Sequence, residues 1–296
     1  MTQLELSTFL AIAKYGSISE TADRLYTSQP ALSRRLKSLE SELGYPLFRR
    51  SQGKKNLSLT NQGTEFLSIA ENLLSSWNSA INLKNKNFCP NYTVILNSSM
   101  GCHVPLALGE FIASNSDINF KYHVYHSLEA YQWMDYGKAD FALVSKTVAH
   151  STVHAVPAYR EKMIFLARNM FLRDNIITVH QLDVSSELMI PWFPDFHDWH
   201  DYWFGATANP KVYGDNASVM NYFWGNESSW WSIVPASFAQ ALLKLDGVRS
   251  IPLLEAPDDL IVYYLSKTGG NNALNDSFLS CLVKHACTVS GISSCI

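Results

Sequence analysis

Residues 27–44 read Thr27-Ser28-Gln29-Pro30-Ala31-Leu32-Ser33-Arg34-Arg35-Leu36-Lys37-Ser38-Leu39-Glu40-Ser41-Glu42-Leu43-Gly44, and the rest of the chain is interpreted around them. Ser28 offers a hydroxyl to cap a helix start, and Pro30 falls in the first turn, where a missing N–H costs nothing. Gly44 follows the last apolar residue, where a left-handed stop is usual. Leu32, Leu36, Leu39 and Leu43 recur at steps of 4, 3 and 4, which makes one buried stripe. Gln29, Ser33 and Lys37 share another face at i, i+4 and i+8, with Arg34 beside them. These side chains are donors of the kind that read base edges and grip phosphates. Alone, the same face equally describes a solvated amphipathic helix, so the neighbouring segments decide.

Upstream, Leu4, Phe9, Ile12 and Ala13 predict a helix over about residues 3–14, stopped at Gly16. Ser19 then caps a short helix through Leu25, and Tyr26-Thr27 form a tight turn into the basic helix. Two helices so joined make a helix-turn-helix over about residues 18–37. Downstream, Tyr45–Arg50 and Asn56–Leu59 read as a hairpin whose tip carries Gly53, Lys54 and Lys55. A basic hairpin tip beside a basic helix suits a flanking groove or backbone.

Charge agrees with this division. Residues 1–60 hold nine Lys/Arg against five Asp/Glu, a net of +4; of the chain's 23 and 26, the remainder keeps 14 against 21, a net of −7. A basic head on an acidic body is the asymmetry of a chain that meets phosphates at one end. The five cysteines (89, 102, 281, 287 and 295) are odd in number and form no C-x-x-C pair, as in a reduced intracellular protein. No secretory signal or bilayer-length apolar run is present in the sequence, so the expected location is the cytoplasm, away from the membrane.

Residues 6–63, from Leu6-Ser7-Thr8-Phe9 to Leu59-Thr60-Asn61-Gln62-Gly63, resemble the winged helix-turn-helix of LysR-type transcriptional regulators. Ser28-Gln29-Pro30-Ala31, Ser33-Arg34, Leu39-Glu40, Gly44, Leu47-Phe48 and Arg50 carry the likeness, and Gln62 departs from the family's usual Ala. The resemblance implies that Gln29, Pro30, Ser33 and Arg34 approach bases. It implies that Lys37 and the wing residues Arg49 and Arg50 approach phosphate or minor groove, beside Lys54 and Lys55 at the tip.

Thr60 is placed to cap a long helix reaching about Lys86. Along it Phe66, Ala70, Leu73, Trp77 and Ala80 step 4, 3, 4, 3, with Leu67, Leu74 and Ile81 alongside. A stripe this wide needs a partner, either the protein's own core or a second copy. In the resembling family the segment is a linker helix on a second subunit, and dimerisation is the reading favoured here. From Tyr92 strands and helices alternate: Tyr92–Leu96, Val104–Ala113, Asn119–Tyr125, a helix capped by Ser127 through Tyr136, and Ala139–Val144. That βαβαβ order predicts a parallel sheet. The family likeness continues through Ala139–Ser145, Lys162–Ala167 and Ser232–Leu242, and implies an α/β two-lobed, periplasmic-binding-protein-like effector domain. The expected organisation is thus a winged helix-turn-helix over 1–60, a linker helix over 61–87 and an effector-binding domain of two subdomains over 92–296.

Ligands of open α/β sheets bind beyond the carboxyl ends of strands, near helix N-termini. Ser98, Ser99 and Met100 occupy such a turn, and the family commonly binds its inducer there; Ser127 takes a matching position at the next helix. Trp192 and Phe193 lie where the family closes the other side of the cleft, although aromatics more often fill cores. Trp230 and Trp231 stand where the family has small residues, and are expected to narrow or reshape the cleft edge.

The stretch 195–201 gathers five potential metal ligands, with His197 and His200 at i, i+3; the competing reading is a polar exposed loop. Cys102 follows the pocket turn without a nearby resolving thiol, so a small apolar role is favoured over redox sensing. No Walker loop, dinucleotide fingerprint, nucleophile elbow or zinc-protease helix is found. The expected function is therefore non-enzymatic and cofactor-free, with no catalytic residue and no metal. The expected partners are double-stranded DNA with a dyad-symmetric site, a small-molecule effector, a second copy as homodimer or homotetramer, and RNA polymerase. The alternatives are an enzyme, or a metal- or redox-sensing protein, carrying a DNA-binding head.

Overall fold

The computed structural model describes residues 1–50, 57–82, 89–97, 100–169, 175–215, 222–224, 229–267 and 273–296. The chain forms two compact units, Met1–Pro90 and Asn91–Ile296.

The first unit opens with α1 (Gln3–Tyr15). Thr2 and Glu5 cap it reciprocally, and Gly16 ends it in the left-handed conformation. α2 (Ile18–Arg24) starts earlier than the spacing suggests: the Ser17 hydroxyl, not that of Ser19, accepts the N–H of Glu20. α3 (Gln29–Leu43) begins at Ser28 and stops at Gly44, but the Ser28 hydroxyl makes no capping bond. Leu32, Leu36 and Leu39 are buried, as the stripe requires.

The wing, β1 (Phe48–Arg50) paired antiparallel with β2 (Leu57–Leu59), is anchored by α3 itself. Glu40 Oε1 accepts the N–H groups of Leu47 at 2.7 Å and Phe48 at 3.3 Å. The Leu57 N–H donates to the Gly16 carbonyl at 2.7 Å, tying the returning strand to the end of α1. Thr60 then locks wing to helix: its hydroxyl donates to the Pro46 carbonyl and accepts the Gly63 N–H, starting α4 (Asn61–Asn82). The sequence reading carried this helix on to Lys86, which lies outside the described residues.

At Gly63 a Cβ would sit 2.1 Å from the Leu47 carbonyl oxygen, a backbone atom that cannot turn away. Gly63→Ala is therefore expected to destabilise the first unit by about 1–3 kcal/mol, against the slight gain alanine gives in an open helix. Urea unfolding of the two proteins checks it; an unchanged midpoint would show that the junction adapts.

Phe66 and Ala70 are buried in this unit's own core, with Leu6, Phe9, Ile12, Leu36, Leu39 and Leu47. Phe9 meets Phe66 at 5.2 Å and Phe48 at 5.5 Å between ring centroids. These two members of the sequence stripe thus face inward, against the expectation of a dimer contact. The large apolar residues left uncovered among the described residues of α4 are Ile69, Leu73, Trp77 and Ile81, each between 38% and 53% exposed, and Ala80 is exposed with them.

The second unit is built on a six-stranded sheet in the order β13 (Ile292–Ser294), β6 (Val153–Glu161), β12 (Leu260–Lys267), β5 (Phe141–Val144), β3 (Asn91–Leu96) and β4 (Asn119–Val124). Central β3 and β5 are buried nearly throughout, whereas edge strand β4 is mostly exposed. β3 runs parallel to β4 and β5, with α5 (His103–Ser114) and α6 (Ser127–Asp135) as crossovers. These three strands are parallel, as the βαβαβ order predicts, and β12 and β13 are added to the sheet antiparallel. A second sheet, β10 (Trp230–Pro235), β7 (Met163–Arg168) and β11 (Val248–Ser250), is antiparallel.

β8 (Leu188–Met189) pairs with β9 (Val212–Tyr213), and α7 (Pro194–Phe204) lies between them in sequence. Two later helices span Ala236–Leu242 and Ala273–Ala286. None of the five cysteines is joined in a disulfide. Among the described residues, no helix is long and apolar enough to cross a membrane.

Candidate DNA-binding surface and effector cavity

On α3, the buried leucines turn the opposite face outward. Gln29, Pro30, Arg34 and Lys37 are exposed and Ser33 is half-buried, so the donors stand together on one side of the helix. Tyr26, in the turn before it, is 98% exposed with φ of 49°, and the Ser28 hydroxyl is uncommitted as a cap. Arg49 is exposed on the wing, where its Nε donates to the Ser58 hydroxyl at 3.2 Å. The Arg50 side chain, and Lys54 and Lys55, lie outside the described residues. The arrangement presents cationic and amide donors from one helix and the adjoining strand, as groove and phosphate contacts require.

In the second unit, a cavity of about 460 Å³ opens at the carboxyl ends of three parallel strands. Asn97 follows β3, His126 and Ser127 follow β4, and Ser145 and Lys146 follow β5. The Asn97 amide joins them, with Nδ2 donating to Ser145 Oγ at 3.1 Å and Ser127 Oγ at 3.4 Å. This is where open α/β sheets leave unspent polar groups. Ser127 is the first residue of α6 rather than its cap; His126 precedes the helix, and its N–H donates to Glu129 Oε2 at 2.9 Å.

The facing wall is Ile190, Pro191, Trp192, Phe193, Pro194 and His197. Trp192 and Phe193 are nearly buried yet reach the cavity, so they are both core and lining. The Trp192 indole donates to the Ile233 carbonyl at 2.8 Å and packs on Phe238, which fixes its ring. Lys146 supplies a cation to the cavity and Asp215 an exposed carboxylate. A second cavity of about 430 Å³ shares Ser145 and Phe193 with the first, and adds Arg160, Asp195, Asp258, Asp259 and Tyr263.

Ser98 and Ser99 lie outside the described residues. Met100 turns away from the cavity: it is partly buried against the main core, and its sulfur accepts the Tyr159 hydroxyl at 3.7 Å. Ser145 and Lys146 are absent from the sequence expectations for this site, although they are the first two residues after the apolar strand β5, the signal that could have found them.

Behind the cavity turn the polar groups are dry. His103 is buried, with Nε2 at 2.8 Å from the Tyr159 hydroxyl, and burial lowers its pKa to about 4. Glu161 is wholly buried; burial raises its pKa to about 7, against the opposing bonds from the Ser237 N–H and hydroxyl. Gly101 is obligatory here, since a Cβ would stand 1.9 Å from Ser237 Oγ.

The expectation for Trp231 and the exposed-loop reading of 195–201 are corrected. Trp231 is fully buried, stacked on Phe165 and bonded through its indole to the Asp183 carbonyl, so it fills the core rather than reshaping a cleft edge. The stretch 195–201 is helix α7, not an exposed loop, and its histidines diverge. His200 is buried at 2.8 Å from Glu187, while His197 pairs with Asp201 at 3.3 Å. Burial raises the pKa of Glu187.

Comparison with known proteins bears on both units. The family described as "Bacterial regulatory helix-turn-helix protein, lysR family" matches residues 4–64, and "LysR substrate binding domain" matches residues 94–287. The HTH-type transcriptional regulator CitR of Bacillus subtilis (strain 168) is 27% identical over 199 residues, 65% of this chain and 68% of CitR. Full-length CbnR complexed with its target DNA superposes with a TM-score of 0.65 at 19% identity, covering 97% of this chain and 100% of CbnR. Full-length LysG from Corynebacterium glutamicum with bound effector Arg gives 0.60 at 16% identity, covering 98% of this chain and 99% of LysG. At such identities these two structures attest the fold. With both family matches spanning the two units, the chain belongs to the LysR family of transcriptional regulators: a DNA-binding regulator with an effector-binding domain.

Proposed function

We propose that two copies of the chain, joined through α4, bind a dyad-symmetric DNA site, and that a small anionic molecule in the Asn97–Ser127–Ser145 cavity sets the outcome. Gln29, Pro30, Ser33 and Arg34 read bases; Lys37, Arg49, Arg50, Lys54 and Lys55 hold phosphates or the minor groove. The observation that carries the effector reading is the convergence of one amide and two hydroxyls at three strand ends, beside Lys146 and under the fixed ring of Trp192. A carboxylate there would gain charge-assisted hydrogen bonds. Ser98 and Ser99, next after Asn97 in the sequence, are further candidates for the same ligand. CbnR with its target DNA and LysG with its bound effector support the two halves by analogy of fold. Pairing of dimers into a tetramer, and contact with RNA polymerase, follow the same analogy, and the cytoplasm is where the DNA is.

Footprinting the purified protein on its own upstream region, with and without small carboxylates, aromatic acids and amino acids, tests this reading. A protected site with dyad symmetry, altered by one class of ligand, is expected. Absence of any protected site at moderate salt would overturn it. Within that assay Arg34→Ala is expected to cost about 1–3 kcal/mol of specific binding, if Arg34 makes a bidentate base contact. Lys55→Ala should instead weaken all sequences alike and flatten the salt dependence. Unchanged operator affinity in Arg34→Ala would show that the recognition face is wrongly assigned.

A further inference from the structure

We propose that Glu110, Cys281 and His285 form a binding site for one zinc-class divalent ion, clamping α5 to the helix Ala273–Ala286. Cys281 and His285 stand one turn apart on the later helix and Glu110 faces them from α5; their donor atoms all lie within 4.8 Å of one another. His285 Nε2 is 2.7 Å from Glu110 Oε2. Tetrahedral zinc holds sulfur at about 2.3 Å and nitrogen or oxygen at about 2.0–2.2 Å. Its donors are then roughly 3.5 Å apart, so the existing trio needs shifts of only about an ångström.

The platform beneath is rigid. Phe111 of α5 and Phe278 of the later helix are buried and meet edge-to-face at 5.1 Å, with Leu279 and Leu282 buried beside them. The donors sit at the rim of this packing, with Glu110 exposed and the other two half-buried, so an ion reaches them from solvent and keeps a position for water.

An ordinary surface ion pair accounts for Glu110 with His285, and with Lys284, whose Nζ donates to Glu110 Oε1 at 2.8 Å. It leaves out Cys281, whose thiol donates to the Ala107 carbonyl of α5 at 3.5 Å and is thereby held within reach of the other two donors. Lys284 engages Oε1 and leaves Oε2 toward the trio, as groups that orient a ligating carboxylate do. Thiolate, imidazole and carboxylate together select zinc or cobalt over magnesium or calcium. On binding, the Cys281 S–H bond breaks, its proton passes to solvent and a sulfur–metal bond forms; the proton that His285 Nε2 shares with Glu110 also passes to solvent, Nδ1 carries the one N–H of the neutral ring, and Nε2 bonds the ion. No electron changes hands.

Cobalt(II) titration of the untagged full chain, stripped of metal, tests the site. One equivalent is expected to produce a near-ultraviolet thiolate-to-cobalt absorption that zinc abolishes. Cys281→Ser should lose that absorption while Cys287→Ser keeps it. His285→Gln should bind at least about 10-fold more weakly. Circular dichroism of the metal-free variants separates lost ligands from lost folding. The proposal is overturned if the wild-type chain shows no such absorption, or if folded Cys281→Ser retains it.

Discussion

A chain carrying Leu73→Glu and Trp77→Glu is expected to sediment as a monomer at concentrations where the wild type is associated, with the first unit still folded. Ile69, Leu73, Trp77 and Ile81 follow each other at steps of four along α4 and are all exposed within the single chain. Apolar surface concentrated in this way marks an interface, and i±4 ridges are the rows that pack into a neighbouring helix. Two carboxylates per copy in that ridge would be buried unpaired on association, each at a cost of several kcal/mol. Phe66 and Ala70, which hold α4 to α1, are untouched, so a normal unfolding transition should persist. If the dimer is what spans the two half-sites, losing it removes the effective concentration linking them, worth about 10²–10⁴ in affinity. A double variant that stays associated would place the self-contact elsewhere.

That ridge also shows where reading the chain reached its limit. The 3.6-residue period located α4 and its apolar side. It could not separate the part facing α1, Phe66 and Ala70, from the part left open, Leu73 and Trp77, because both belong to one wide stripe. Only Phe9 and Leu47, distant in sequence, decide which is covered. The recognition helix was legible to its ends, because Pro30, four leucines and Gly44 are local signals.

The candidate cavity was legible by rule rather than by residue. Strand ends could be located, but which polar groups meet across them depends on the register of β3, β4 and β5. Trp231 and His200 misled for the opposite reason. Their chemistry suggests a ligand, yet Phe165, Asp183 and Glu187 satisfy them internally. The trio Glu110, Cys281 and His285 stayed invisible because residues 110 and 281 meet only after both helices pack.

Between about pH 5 and pH 8 the wild-type second unit is expected to lose stability that a Glu161→Gln chain keeps. Glu161 is buried at the end of β6, accepting through Oε2 from the Ser237 N–H and hydroxyl, while Oε1 has no hydrogen-bond partner among the described residues. Ionisation would leave charge on that dry oxygen, which is why the carboxyl holds its proton up to about pH 7 instead of the ordinary 4.5. A folded-state pKa above the unfolded one gives stability fully present below pH 4.5 and lost as pH rises through 7. The separation corresponds to roughly 3 kcal/mol by pH 8, at about 1.4 kcal/mol per unit. His103 works in the other direction. Its pKa is lowered to about 4, so its contribution is complete above 6.5 and falls away as pH drops toward 4. Each protein alone should therefore show a curved profile, and the difference between them isolates Glu161. Glutamine keeps an oxygen for the Ser237 donors and cannot ionise, so the two thermal midpoints should converge near pH 4, separate between about pH 5 and pH 7 and level off by pH 8, with the variant higher. Parallel profiles across that range would mean that Glu161 is ionised in the folded protein, and that Ser237 compensates its charge despite the burial.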